Sequence, residues 1–395
     1  MLSDYPVRRN LVPVIRLGGI EPHPNADRLD LAVVGDYRCV VGKGLYKGGD
    51  LVAYIPEGSI LPGSVLDALG MRDSSLLAGK EHNRVKAVRL RGALSQGVCY
   101  PVPINESGAP AWAVGEDVAA ILGVTKWEPP IPTHMAGELA NVSTRYTVHY
   151  DIDNVKWFPG AIADGETVVM TEKIHGTWTQ IGVLPEGEIA HEEVGDVVVT
   201  SKGFGDRGLA FKDNEANAKN LYLRVARHLD MRRRVRDARA AGVLPADQPA
   251  YVLGETFGIQ DLKYGASATK NETLGFRVFD IYVGVPQNVR GHYLDDGRLD
   301  EVCAALGLAR VPVVYRGPYN KEIMLQHTSG KETVTGQSLH IREGVVVKPV
   351  IERQDFTAYP TGRAFPCNGR VQFKSVSADY DLRKGSGGEE PTEFQ

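Results

Sequence analysis

The segment Val169-Met170-Thr171-Glu172-Lys173-Ile174-His175-Gly176-Thr177-Trp178 puts a lysine where an apolar strand gives way to a glycine turn. A lysine so placed is a candidate covalent nucleophile. Burial and a nearby cation depress an ammonium pKa and supply the neutral amine that attacks carbonyl or phosphoryl centres. Alone, Lys-X-His-Gly is a weak signal, because most lysines beside a turn are solvated. Downstream, further segments also set charged residues inside or beside apolar runs: Val198-Val199-Thr200-Ser201-Lys202-Gly203, Tyr251-Val252-Leu253-Gly254-Glu255-Thr256-Phe257-Gly258, and Phe276-Arg277-Val278-Phe279-Asp280-Ile281. Two more follow, Arg342-Glu343-Gly344-Val345-Val346-Val347-Lys348-Pro349 and Val371-Gln372-Phe373-Lys374-Ser375. Strand alternation places Phe279 and Asp280 on opposite faces. Ion pairs between neighbouring strands account for any one of these segments but poorly for the ordered set.

At 395 residues and 43% hydrophobic, the chain is long enough for two or three domains, each with its own core. No window approaches eighteen consecutive apolar residues, and Met1-Leu2-Ser3-Asp4-Tyr5-Pro6 lacks a secretory pattern, so a cytoplasmic protein without a membrane anchor is expected. Cys39, Cys99, Cys303 and Cys367 are scattered without a Cys-X-X-Cys pair, which fits reduced thiols and argues against structural zinc. A net charge of -4 does not advertise a polyanion partner, so nucleic-acid binding must come from local basic patches.

Stepping along the chain, residues 1–125 read as a small all-β module. Apolar runs at 11–15, 31–34, 37–41, 51–55 and 85–90 are separated by turn residues, with Gly35-Asp36 predicting a two-residue hairpin. Five such strands suit an oligonucleotide-binding (OB) barrel, and His23 to Pro62 resembles the tRNA-binding type. Arg89 and Arg91 are expected on one strand face, with Lys86 joining them through a bulge, to meet phosphate. Residues 126–150 read as a Pro-rich linker, extended and fairly stiff so that it restricts the relative geometry of the domains, and 151–384 as a second domain of mixed strands and helices whose own chemistry is expected to survive removal of residues 1 to about 120. The whole is therefore α+β. A helix is predicted over Leu221, Val225 and Leu229 onward to Arg239, arginine-rich on its outer face, either a solvated surface helix or one that tracks phosphates. Residues 385–395 have a disordered composition.

Lys-X-His-Gly, Ser-Lys-Gly, Gly-Glu-X-X-Gly, Phe-Asp-Ile, Glu-Gly-X-Val-X-Lys and Phe-Lys, in this order, resemble the nucleotidyltransferase motifs of covalent lysyl-AMP ligases. Glu172-Lys173-Ile174-His175-Gly176-Thr177 is similar to the version in RNA ligase 2 of phage T4 and its relatives. A barrel ahead of the transferase domain resembles the Deinococcus-type nick-sealing RNA ligases. The resemblance implies an ATP-dependent RNA ligase, with Mg²⁺ or Mn²⁺, acting as a monomer on RNA or on nicked RNA/DNA duplexes. It implies Lys173 as nucleophile, Lys374 on the α-phosphate, and Lys348 on the phosphates or the RNA end. Glu172 would accept from the adenine amine, Phe279 stack on adenine and Glu255 contact ribose. His175, Gly176 and Lys202 complete the nucleotide site, and Glu343 holds a metal ion through water. Trp178 stands where the relatives carry asparagine, Lys202 replaces an arginine, and Val376 stands where a second lysine occurs. A DNA ligase or a capping guanylyltransferase shares the chemistry, but usually with Asp at the position of His175 and with the barrel downstream. A non-catalytic RNA-binding protein is disfavoured by the joint presence of Lys173, Glu255, Glu343, Lys348 and Lys374.

Overall fold

Gly35 takes φ +55 and lets Val34 and Tyr37 face each other across the predicted two-residue turn, joining strands Leu29–Val34 and Tyr37–Gly42. The computed structural model describes residues 11–127, 133, 135–258, 264, 275–286, 291–357, 359, 361, 363 and 365–386. Gly19–Pro22 joins that hairpin as a third strand. A second small sheet sets Leu51–Ile55 between Val14–Arg16 and Val98–Pro101. The closing strand Val98–Pro101 is not among the runs expected above, although Val98, Cys99 and Tyr100 are apolar. The run expected at 85–90 is a strand only over Val88–Leu90, and it turns back onto Ala93–Ser95. Ala119–Leu122 is helical and ends on Gly123 at φ +69, where glycine meets the left-handed conformation of the helix end. No helix among the described residues is long and apolar enough to cross a membrane.

In the second lobe, two five-stranded sheets are built in blocks: the chain lays down two strands of the first sheet, then all five of the second, and returns to complete the first. The first has the order Asp153–Asn154, Phe373–Val376, Gly344–Pro349, Thr167–Lys173, Val313–Pro318. The second runs Val197–Ser201, Thr177–Val183, Ala250–Phe257, Gly275–Val283, His292–Tyr293. Lys173 ends a strand of one sheet and Thr177 begins a strand of the other, so the Lys-X-His-Gly turn is the crossover between them.

The barrel does not hang on a free linker. Ile15, Leu17, Val34, Tyr37 and Tyr54 share one core with Trp157 and Phe158, at the end of the short turn of helix Val155–Trp157, and with Met170, Val345 and Phe373 of the first sheet. Trp157 meets Tyr37 and Tyr54 edge-on, with ring centres 5.4 and 5.1 Å apart. Lys156 donates to the Gln96 side chain of the barrel. The expectation of a separable barrel fails for this reason: removing residues 1–120 would expose the apolar back of the sheet that carries Lys173. Both lobes should melt together, in one calorimetric transition whose calorimetric and van't Hoff enthalpies agree. Two separate transitions would show that this core is not shared in solution. Residues 128–132 of the expected linker lie outside the described residues, as do 387–395 of the expected tail. The C-terminal helix, Ala378–Ser386, extends into the segment expected to be disordered.

The single arginine-rich helix expected after Leu221 is two helices, Leu221–His228 and Met231–Ala240, broken where Asp230 adopts φ +49. Its arginines do not form a free phosphate track. Arg239 donates to the carbonyls of Val183, Leu184 and Gln248, Arg234 to those of Leu229 and Leu306, and Arg232 pairs with Asp196.

Candidate functional site

Why the crossover carries Gly176 is steric: a Cβ there would lie 2.4 Å from the Thr256 carbonyl oxygen and 2.8 Å from Glu255. Glycine lets the crossover lie against the strand Ala250–Phe257, so that Glu255 lines the same cleft as Lys173. Gly344 faces Lys173 across the neighbouring strand, and a Cβ on it would meet the Ser375 carbonyl oxygen at 2.1 Å. That register sets Glu343 beside the lysine, and the Glu343 carboxylate contacts Lys173 Nζ.

A cleft opens between the sheets. Its wall includes Glu172, Lys173, Gly176, Lys202, Glu255, Phe279, Lys348 and Lys374, so eight residues singled out in the sequence converge although they are spread over some two hundred positions. Pairing explains much of this. Val346 lies between Thr171 and Lys374 on adjacent strands, and Lys348 is two residues on, on the same face. From the other sheet, Trp178 and Glu255 sit directly opposite each other.

Phe279 and Asp280 were expected on opposite faces, yet both line the cleft. The register shows why: Leu253 pairs with Asp280 while the next residue, Gly254, pairs with Val278, so Phe279 is the extra residue of a β-bulge. Bulges re-aim side chains in this way. Glycine at 254 belongs to the same arrangement, as a Cβ there would lie 2.3 Å from the Phe276 ring.

Glu172 is buried, 2% exposed, and its Oε2 accepts from the Thr333 amide at 2.7 Å and hydroxyl at 2.5 Å, with Arg342 Nε at 3.6 Å. Burial raises its pKa, and the Thr333 hydrogen bonds and Arg342 only partly offset that. Lys348 is 4% exposed and is held by Asp280 at 2.5 Å and Glu352 at 3.0 Å. Arg370 bonds the same two carboxylates, and the Tyr150 hydroxyl donates to Asp280. Burial alone would raise the Asp280 pKa, but Arg370 and Lys348 outweigh it and hold the carboxyl well below its usual range. Lys202 Nζ lies 2.9 Å from Asp151.

Several expected residues fall elsewhere. His175 does not line the cleft. It is fully buried, with Nδ1 2.8 Å from the Tyr380 hydroxyl and 3.8 Å from Glu343, so its placement suits orientation rather than nucleotide contact. Glu343, 3% exposed, also lies off the cleft wall, against Lys173 Nζ. Arg89 and Arg91 do not share a strand face: the strand stops at Leu90, and Arg91 occupies the turn at φ +46 before Gly92. Lys86 precedes the strand, so no bulge brings it into line. None of these three lines the cleft. The sequence also missed Tyr150, Ile152, Val311 and Val346 in the cleft wall. Tyr150 falls within the segment expected to be a linker, and no motif marks it.

The donor set allows a test for a metal ion. Among the described residues no three or more His, Cys, Asp or Glu side chains converge as a cage. Glu255 at the cleft and Glu343 beside Lys173 instead suit a divalent ion that keeps most of its water and takes other ligands from a nucleotide's phosphates.

Two sheets joined by a lysine-bearing turn, with a barrel ahead of them, define a nucleotidyltransferase fold carrying an OB domain. A family model described as RNA ligase matches residues 166–367, and an OB-fold model matches residues 11–102. The first match covers just over half of the chain, and the protein belongs to the RNA ligase family. Its fold is shared with a Naegleria gruberi RNA ligase. A mutant of that enzyme with AMP and Mn aligns at TM-score 0.70 and 23% identity, over 95% of this chain and 99% of that one. A second mutant, with ATP and Mn, gives 0.71 and 22% over 94% and 98%, and the enzyme with PPi gives 0.70 and 23% over 95% and 98%. Among curated proteins, none matches by sequence.

Proposed function

We propose that this RNA ligase uses ATP to join a 3′-hydroxyl to a 5′-phosphate at nicks in a duplex, with RNA on the 3′-hydroxyl side. The observation that carries this reading is Lys173 at the sheet crossover, in a cleft whose wall also bears Lys202, Lys348 and Lys374. The Naegleria enzyme of the same fold is described with ATP, with AMP and with pyrophosphate, which are the substrate, transferred group and leaving group of a first adenylylation step.

In that step neutral Lys173 Nζ attacks the α-phosphorus, the P–O bond to pyrophosphate breaks, and a P–N bond to AMP forms. The amine must lose its proton, and the Glu343 carboxylate is already in contact with it. The RNA 5′-phosphate oxygen next displaces the lysine to give an AMP-capped end. The 3′-hydroxyl then attacks that 5′-phosphorus, and AMP leaves. Each transfer is in-line and spreads charge over phosphate oxygens, which is what Lys374 and Lys348 supply when fixed in place. Asp280 and Glu352 keep Lys348 from swinging. Glu343 and Glu255 would hold the water shell of a divalent ion, Mg²⁺ or Mn²⁺, which would supply further positive charge to the phosphates. Glu172 reads the adenine amine, Phe279 stacks on the base, Glu255 reaches the ribose, and Gly176 and Lys202 complete the site. The enzyme works as a cytoplasmic monomer, and the RNA backbone meets the barrel through Arg89 on its short strand and Arg91 in the turn beyond it, not through one shared basic face.

The substrate reading is tested with nicked duplexes that differ only in the sugar at the 3′-hydroxyl end. A ribose there should seal at least about tenfold faster than deoxyribose, because a site that reads a hydroxyl discriminates strongly against its loss. Equal rates on all-DNA nicks would replace RNA with DNA as the substrate.

A further inference from the structure

Tyr380 takes no part in the cleft, yet it is fully buried and its hydroxyl sits 2.8 Å from His175 Nδ1. The two rings meet edge-on at 5.8 Å and 63°. The same His175 nitrogen lies 3.8 Å from Glu343 Oε2, and the other Glu343 oxygen contacts Lys173 Nζ. A chain of neighbours therefore runs from tyrosine hydroxyl to imidazole to carboxylate to nucleophile, hydrogen-bonded at the tyrosine end and with a close approach of 3.8 Å between imidazole and carboxylate. The segment carrying Tyr380 is fastened on both sides. Ser377 N donates to the Glu343 carbonyl at 2.8 Å, and Asp381 lies within 3.4 Å of the Gln96 amide on the barrel. The helix Ala378–Ser386 also packs beside the barrel strand Val88–Leu90.

We infer that Tyr380 is a positioning residue for adenylate transfer: its hydroxyl fixes the His175 imidazole against Glu343, and Glu343 in turn sets the Lys173 amine. The C-terminal helix is then a strap that ties the barrel to the nucleophile. This inference rests on the adenylyl-transfer reading above. Without that hydroxyl the buried imidazole loses a hydrogen bond that sets its orientation, and a small misplacement of a reacting group is costly in rate. Simple core filling would place a phenylalanine here as well as a tyrosine, and the hydroxyl distinguishes the two.

The test is Tyr380→Phe in the full-length protein, in single-turnover lysyl-AMP formation with labelled ATP and Mn²⁺. The rate at saturating ATP should fall about ten- to hundredfold. ATP half-saturation should stay within about twofold, since the nucleotide itself loses no contact. The long-range ¹H–¹⁵N resonance of His175, identified by its absence in His175→Asn, should shift in Tyr380→Phe. A wild-type rate, a lowered adduct yield formed at wild-type rate, or an unmoved His175 resonance would each overturn the inference and leave the ligase reading intact. A wild-type protein that forms no adduct would remove both.

Discussion

Lys173→Ala should form no acid-stripped AMP adduct when incubated with labelled ATP and Mg²⁺ or Mn²⁺, a loss of at least about 10³-fold against the wild type. The expected size follows from the kind of catalysis. A residue that forms the covalent bond has no substitute in its group-transfer role, whereas a residue that only orients or neutralises leaves partial activity. Lys202, Lys348 and Lys374 share the cleft, but Lys202 is paired with Asp151, and Lys348 is clamped by Asp280 and Glu352. Neither is placed to inherit the role of Lys173. The substitution also takes the cation from Glu343, whose side chain is 3% exposed, so a lowered melting temperature should accompany the loss. Lys173→Arg, which keeps the charge but not the transferable amine, should keep the melting temperature closer to wild type and still form no adduct. An adduct on Lys173→Ala at near wild-type yield would transfer the nucleophile elsewhere and undo the proposed chemistry.

Asp280→Asn should destabilise the protein by about 3–5 kcal/mol, read as a shift of the urea midpoint at constant slope. Asp280 is 1% exposed and accepts from Lys348, from both terminal nitrogens of Arg370 and from Tyr150. Neutralising it leaves two buried cations sharing Glu352 alone, and an unbalanced buried charge is what makes such substitutions severe. The same network gives a pH signature. The folded Asp280 pKa is depressed, so its contribution is fully present above the unfolded value of about 4 and is lost as pH falls through the folded pKa. Glu352 is shifted in the same direction: burial opposes the shift, and Arg370 and Lys348 outweigh it. The wild type should therefore lose stability steeply in acid, and Asp280→Asn less steeply. Parallel pH profiles would mean that the network does not stabilise the folded state through Asp280.

The residues that converge in the cleft were legible because the chemistry needs charged side chains at the ends of apolar strands next to glycine, and glycine beside Lys173, Glu255 and Glu343 is visible in the sequence. What alternation could not show was a bulge. Phe279 reaches the cleft because one residue is inserted against its partner strand, and nothing local in Phe276 to Ile281 marks that insertion. The break at Asp230 escaped for a related reason, since aspartate at positive φ is rare enough that helical periodicity on both sides predicts continuity. Tyr380 was invisible in a different way. Its partner is 205 residues away, and a tyrosine in Ser377-Ala378-Asp379-Tyr380-Asp381 carries no pattern that separates a strap from a surface turn. The barrel reading went furthest astray at its edge, where prolines suggested a spacer while Trp157 and Phe158, just beyond, were already part of a common core.

That common core bears on how such a protein is inherited. Tyr37 and Tyr54 complete the apolar support of the sheet that presents Lys173, so a change on the barrel's inner face is also felt behind the catalytic lysine. The two lobes must then drift as partners. A barrel exchanged from a distant relative would arrive with half of someone else's interior, and recombination within the family should favour whole barrel-plus-sheet units over the Pro-rich boundary that looks, in the sequence, like the natural place to cut.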